Sequence, residues 1–320
     1  MSDFLTRDNP YLSRPTLPDG SQELAELVAT YVQDSLAENS RRAYLSDLRQ
    51  FEAWGGALPA TAETIAAYLA AHADGLSVAT LVRRLASLSK AHQARGLSNP
   101  TRSELVRTTP LRGIKRTRGC TQQQAKPLLR DDLLLVLDKI GDGLKDVRDR
   151  ALLLIGFASA LRRSELVALD VADIEDVRRG IVLHLPRSKT DQDGQGQKIA
   201  IPFGRTRWCP VAALAAWLEA SGIAEGAIFR PVDRHGCVHN ARLSGEAVSI
   251  VLRERVAAAG LHQRRCSGHS LRAGLATSAA QAGVPIWRIK AQTRHASDAM
   301  LVRYIREGEL FIDNAAGALL

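Results

Sequence analysis

The sequence predicts a mainly α protein, an all-helical domain followed by a mostly helical domain with a small antiparallel β-sheet. Three observations predict it. Apolar residues recur at helical spacing from residue 21 to beyond residue 100, with no strand-like run among them. The only runs that read as strands are Gly180-Ile-Val-Leu-His-Leu185 and Lys198-Ile-Ala-Ile201, and the turn-rich Asp191-Gln-Asp-Gly-Gln-Gly196 between them suits a hairpin. A chain of 320 residues that is 45% hydrophobic and 24% charged can build two cores rather than one.

Residues 1–20 hold Pro10, Pro15, Pro18 and Gly20 with little periodicity, which predicts a flexible arm. Helices follow. Leu24, Leu27, Val28, Tyr31 and Val32 mark the first, and Tyr44, Leu45, Leu48, Phe51 and Trp54 the second, with Asn39 or Ser40 as its cap. Thr61 or Thr64 opens a third through Ile65, Tyr68 and Leu69. Ser77 caps a fourth that turns Val78, Leu81, Val82, Leu85 and Leu88 inward and Arg83, Arg84, Ser87 and Lys90 outward. A short fifth starts at Thr101 or Ser103, and the polar, glycine-containing stretch 114–127 reads as a linker ending at Pro127.

The second domain opens at Leu128. Asp131 or Asp132 starts a helix carrying Leu134 to Leu137, an apolar helix covers 151–157, and a shorter one covers 163–169. Beyond the two strands, helices are expected over 210–221, 244–259, 270–282, 285–292 and 297–306. The expected domains are therefore an arm at 1–20, a helical domain at 21–113, a linker at 114–127, a second domain at 128–308 and a tail at 309–320.

Charge is unevenly spread. The chain carries a net +9, yet residues 1–82 are net −6, residues 83–130 net +11 and the remainder net +4. A block this basic needs a polyanion or extensive solvation, and its place beside helical patterns points to nucleic acid. Four scattered cysteines without framework spacing read as reduced thiols. No apolar run approaches a membrane span and the start lacks a signal pattern, so a cytoplasmic, nucleoid-associated protein with no membrane contact is expected.

Phosphodiester chemistry without a metal needs donors for the charge on the transition-state oxygens, a nucleophile, and a proton for the departing oxygen. The second domain supplies such groups. Arg162 lies between two apolar helices in Ser159-Ala-Leu-Arg-Arg-Ser-Glu-Leu, and Lys189 lies in Pro186-Arg-Ser-Lys-Thr-Asp at the hairpin. His269 and Arg272 stand three apart on one helix face, and His295 precedes Tyr304 by nine residues. Each taken singly is common: a surface arginine, a solvated turn lysine, a core tyrosine. Tyr304 is nonetheless the sole tyrosine after residue 68.

In this order, Arg162, Lys189, His269-x-x-Arg272, His295 and Tyr304 resemble the catalytic set of the tyrosine recombinase/integrase family. Ser40-Arg-Arg-Ala-Tyr44 and Asp47-Leu-Arg-x-Phe51 resemble its core DNA-binding domain, and the short arm makes the chain most similar to two-domain Xer- and Cre-like members. Two positions depart from the pattern: Ala160 and Arg294 stand where the family carries glycine. The resemblance implies that Arg162 and Arg272 clamp the scissile phosphate with His295 as a further donor. It also implies that Lys189 protonates the leaving 5′ oxygen, that His269 assists Tyr304, and that Glu165 supports the site. A free tyrosine is only about 0.1% phenolate at pH 7, so the nucleophile needs this cationic company.

The same resemblance implies a homotetramer on double-stranded DNA bearing an inverted-repeat site, with the apolar tail docking on a neighbouring protomer. Arg41, Arg42, Arg83, Arg84, Lys90, Lys115 and Arg116 are the expected DNA contacts, mostly to phosphates. No cofactor and no metal are expected: glycine-rich nucleotide loops are absent, and His235-Gly-Cys-Val-His239 lacks a second ligand pair. A DNA-binding regulator and a type IB topoisomerase are the competing classes; the first has no use for the full residue set, and the second shares the chemistry without site preference, so that the resemblance to the core-binding domain favours the recombinase.

Overall fold

The computed structural model describes residues 38–107, 110–119, 125–185, 196–261, 266–295, 301, 302 and 304. The chain divides into two compact units, Met1–Gln122 and Gln123–Leu320.

The first unit is helical throughout its described part: α1 (Glu38–Ala53), α2 (Ala62–Ala71), α3 (Val78–Ala94), α4 (Glu104–Arg107) and α5 (Pro110–Arg118). Thr61 and Ser77 cap α2 and α3 by accepting the backbone N–H three residues on, as their spacing predicts. Phe51, Ile65, Tyr68, Leu69, Leu81 and Leu88 form its core, with the Phe51 and Tyr68 rings edge to face at 5.0 Å.

Two expectations are corrected here. Arg84 and Ser87 face inward rather than outward. Arg84, 6% exposed, donates to the Tyr68 hydroxyl at 2.5 Å and to Gln50 at 2.8 Å, and Ser87 donates to Asp47 at 2.7 Å. A helix with only a narrow apolar stripe completes its buried face with hydrogen-bonded polar groups, although Arg84 Nε has no hydrogen-bond partner among the described residues, while Val82 turns to solvent. The expected linker is also shorter at its start, because α5 runs to Arg118, buries Leu111 and Ile114, and exposes Arg112, Lys115 and Arg116.

The second unit contains α6 (Arg130–Asp138), α7 (Leu144–Ser159), α8 (Arg163–Ala168), β1 (Ile174–Val177), β2 (Gly180–Leu185), β3 (Gln197–Pro202), α9 (Pro210–Ser221), α10 (Gly245–Ala258), α11 (Gly268–Gln281) and α12 (Ile286–Thr293). Its sheet has the order β1-β2-β3, antiparallel throughout. β1 was not expected; its Ile-Glu-Asp-Val sequence is an exposed edge strand with little apolar signal.

α7 begins a full two turns earlier than its apolar run. Buried Asp149 accepts from Arg148 at 2.6 Å and from Arg255 at 2.6 Å, so charged residues extend the helix into the core as a paired network. Trp217 anchors α9, its indole N–H donating to the Ile228 carbonyl at 2.8 Å.

Backbone contact ties α11 to the start of this unit. Leu128 N–H donates to the Ser270 carbonyl at 3.0 Å, and a Cβ on Gly274 would lie 1.8 Å from the Leu128 carbonyl oxygen. Gly274→Ala must therefore push the helix away. The expected loss is about 2–3 kcal/mol, read as a lower urea midpoint with an unchanged slope.

Candidate active site

α7 ends at Ala160, whose left-handed backbone (φ 49°) reverses the chain into α8. Its carbonyl accepts from Arg272 Nη1 at 2.8 Å, so this turn also seats the side chain of α11. Arg162 follows as the N-cap of α8. Glu165, at the third helical position, reaches back to accept the Arg162 backbone N–H at 2.9 Å and its Nη1 at 2.6 Å. The helix start and the arginine fork thus share one carboxylate.

Arg272, 2% exposed, keeps Nη2 buried without a protein partner among the described residues. A guanidinium held that way has an unmet demand for an anion. Burial, then the nearby Arg162 and Arg294 cations, push its pKa down to about 10, against the opposing pull of Glu165 and Tyr304.

α12 closes on Arg294, also left-handed (φ 55°), and delivers His295. His295 Nδ1 pairs with the Thr293 hydroxyl at 2.7 Å, and its ring lies 5.6 Å from that of Tyr304. Tyr304 is 6% exposed and packs in a cluster with Ile289, Leu301 and the three alanines Ala273, Ala276 and Ala280 of α11, whose small side chains let the ring lie close to that helix. Burial and the surrounding cations, Arg272 and Arg162 foremost, take the His295 pKa from 6.5 down to about 4, so the ring is neutral at pH 7. Burial by itself drives the Glu165 carboxyl upward, but Arg294, then the bonds from Arg162, bring it below its ordinary value.

The His295 shift has a sign. Between pH 6.5 and 4 the unfolded ring takes up a proton that the folded one refuses, so stability is intact above 6.5 and declines as pH falls toward 4. Denaturation midpoints at pH 7 and pH 5 should differ less for His295→Asn than for the unaltered chain.

Of the expected site residues, Arg162, Glu165, Arg272, His295 and Tyr304 come together in the second unit through the contacts above. His269 sits exposed in the first turn of α11, its backbone N–H donating to Ser267 Oγ at 3.3 Å; it shares a helix with Arg272 but not its burial. Lys189 and the tail 309–320 lie outside the described residues. Arg294 enters the site through its ion pair with Glu165 at 2.9 Å, which the departure from glycine at 294 alone had marked. In the first unit Arg42, Arg83, Lys90, Lys115 and Arg116 are exposed and Arg41 is half-buried; Arg83 pairs with Asp47 at 3.0 Å. Among the described residues no three His, Cys, Asp or Glu side chains gather as a metal site, and no helix is long and apolar enough to cross a membrane.

The phage integrase family model matches residues 127–309, and that family's N-terminal SAM-like domain matches residues 28–98. The chain belongs to the phage integrase family of tyrosine recombinases. This recombinase is 37% identical to the integrase/recombinase xerD homolog of Selenomonas ruminantium, over 97% of this chain and 93% of the relative. It is 27% identical to the Cre recombinase of Escherichia phage P1, over 100% and 98% of the two chains.

Its fold matches the XerH site-specific recombinase bound to palindromic difH substrate, with a TM-score of 0.63 at 15% identity, covering 92% of this chain and 84% of that one. It also matches a lambda integrase tetramer bound to a Holliday junction, with a TM-score of 0.57 at 19% identity, covering 84% and 72%.

Proposed function

We propose that this recombinase cleaves and rejoins DNA at a specific site through a 3′-phosphotyrosyl bond to Tyr304. The observation that carries the assignment is the buried, anion-seeking Nη2 of Arg272 beside Arg162, His295 and Tyr304 in one domain.

The Tyr304 oxygen attacks the scissile phosphorus as the bond to the 5′ oxygen breaks. Arg162 and Arg272 offset the charge gathering on the non-bridging oxygens, and His295, whose Nδ1–H is spent on the Thr293 hydroxyl, donates a further hydrogen bond through Nε2 once the charge of the bound phosphate draws a proton onto the ring. The tyrosyl proton passes toward His269, and Lys189 gives a proton to the departing 5′ oxygen. One phosphodiester is exchanged for another, so bond energy is conserved and a 5′ hydroxyl from a second duplex can reverse the step. Two duplexes require four active sites, which assigns a homotetramer working through a Holliday junction on an inverted-repeat site. The exposed Arg42, Lys90, Lys115 and Arg116, with Arg41 and Arg83, hold the phosphate backbone; Arg84, buried, has a structural role. The expected setting is the cytoplasm, at the nucleoid.

Sequencing of DNA recovered covalently bound to the protein from cells tests this assignment. The expected yield is a small set of sites sharing one inverted repeat. Fragments scattered without a common sequence would mark a topoisomerase instead.

A further inference from the structure

Arg294 holds a backbone conformation (φ 55°) that favours glycine, and glycine is what the resemblance places there. A bulky residue kept at such a position calls for a compensating side-chain role. Its contacts supply one. Arg294 Nη2 donates to Glu165 Oε2 at 2.9 Å, Nη1 reaches Gln197 Oε1 at 3.4 Å, and the side chain is 9% exposed. Glu165 is thereby shared between two arginines, since Oε1 takes Arg162 Nη1 and Oε2 takes both the Arg162 backbone N–H and Arg294 Nη2.

We propose that Arg294 is a positioning residue of the cleavage reaction. Its guanidinium locks the Glu165 carboxylate, and Glu165 fixes the Arg162 fork that receives the scissile phosphate. The inference rests on the proposed function above. Without Arg294, the carboxylate has one fixed anchor, the Arg162 backbone N–H, and is left to rotate about that single bond together with the Arg162 side chain. Held from Arg294 as well, it becomes a fixed anchor that orients Arg162 before DNA arrives, which is where catalysis by fixed charges gains its advantage. Arg294 is also the foremost group keeping the buried Glu165 ionised. The alternative is a helix C-cap only, expressed in the Arg294 N–H to Lys290 carbonyl bond at 2.7 Å. That role needs the backbone alone, and glycine performs it with less strain.

Three variants separate the two. Arg294→Gly removes the guanidinium and relaxes the backbone, Arg294→Gln removes the charge and keeps the strain, and Arg294→Lys keeps charge and strain without the fork. Single-turnover cleavage of a suicide DNA substrate should slow about 10-fold to 100-fold in the Gly and Gln variants, with partial recovery in the Lys variant. Binding of the same DNA should stay within about threefold of the unaltered chain, because backbone phosphate contacts dominate affinity. The acid limb of the rate–pH profile should move to higher pH in the Gly and Gln variants, since Glu165 then protonates sooner and releases Arg162. A purely structural role would leave that limb in place.

Cleavage by Arg294→Gly at the unaltered rate with an unmoved limb would overturn the proposal. If that variant does not fold, Gln and Lys variants both cleaving at the unaltered rate would overturn it equally. An unaltered chain that forms no adduct would overturn the proposed function itself, and the positioning role with it.

Discussion

Tyr304→Phe is expected to form no covalent adduct with DNA and to cleave at least about 10⁵-fold more slowly than the unaltered chain. The variant removes one oxygen and leaves the ring in place beside His295, 5.6 Å away, and among Ala273, Ala276 and Ala280. Stability should therefore shift by no more than about 1 kcal/mol, and DNA binding should persist. The arginines would still hold the phosphate, but nothing nearby would replace the nucleophile. Denaturing gels of labelled DNA read the adduct, and thermal melting reads the fold. Adduct formation by the variant would move the nucleophile elsewhere.

The second large effect is at Arg272. Arg272→Met should slow cleavage about 10³-fold, the scale seen when one fixed donor to a developing oxyanion is lost. Its effect on stability should be small, within about 1 kcal/mol. The variant gives up the 2.8 Å bond to the Ala160 carbonyl, which costs stability. It also removes a buried cation crowded by Arg162 and Arg294, with one nitrogen unpaired, which restores it. Cleavage rates and urea midpoints measured on one preparation test both halves; a large fall in stability with cleavage intact would assign Arg272 to the core.

Much of this site was legible in the chain because its residues sit at element boundaries that leave strong signals. Arg162 lies where an apolar run breaks, and His269 and Arg272 stand three residues apart at the start of an expected helix, which in the structure begins two residues earlier, at Gly268, with Ser267 as its cap. Where the sequence misled, charged residues were doing buried work. Arg84 looked like a surface cation because its partners Tyr68 and Gln50 lie 16 and 34 residues away. The first turns of α7 carry little apolar signal of their own, because buried Asp149 is matched by Arg255, 106 residues on. Pairings at such separations leave no local pattern. α5 was hidden for a different reason: two apolar residues, Leu111 and Ile114, give too little periodicity to distinguish a short helix from a basic linker.

Ala160 and Arg294 were visible as departures from glycine, but their consequence was not. Both are left-handed in the structure, so the backbone requirement survives while the side chains differ. At 160 the carbonyl holds Arg272; at 294 the added guanidinium reaches Glu165.

The account's central claim is a covalent bond between Tyr304 and a DNA 3′ phosphate, formed without a metal. Its most direct test traps the adduct on a suicide substrate in excess chelator, digests it, and locates the nucleotide by peptide mass. The account predicts an undiminished adduct with the nucleotide on the peptide that contains Tyr304. A label on any other residue, or an adduct that disappears with the chelator, would contradict it.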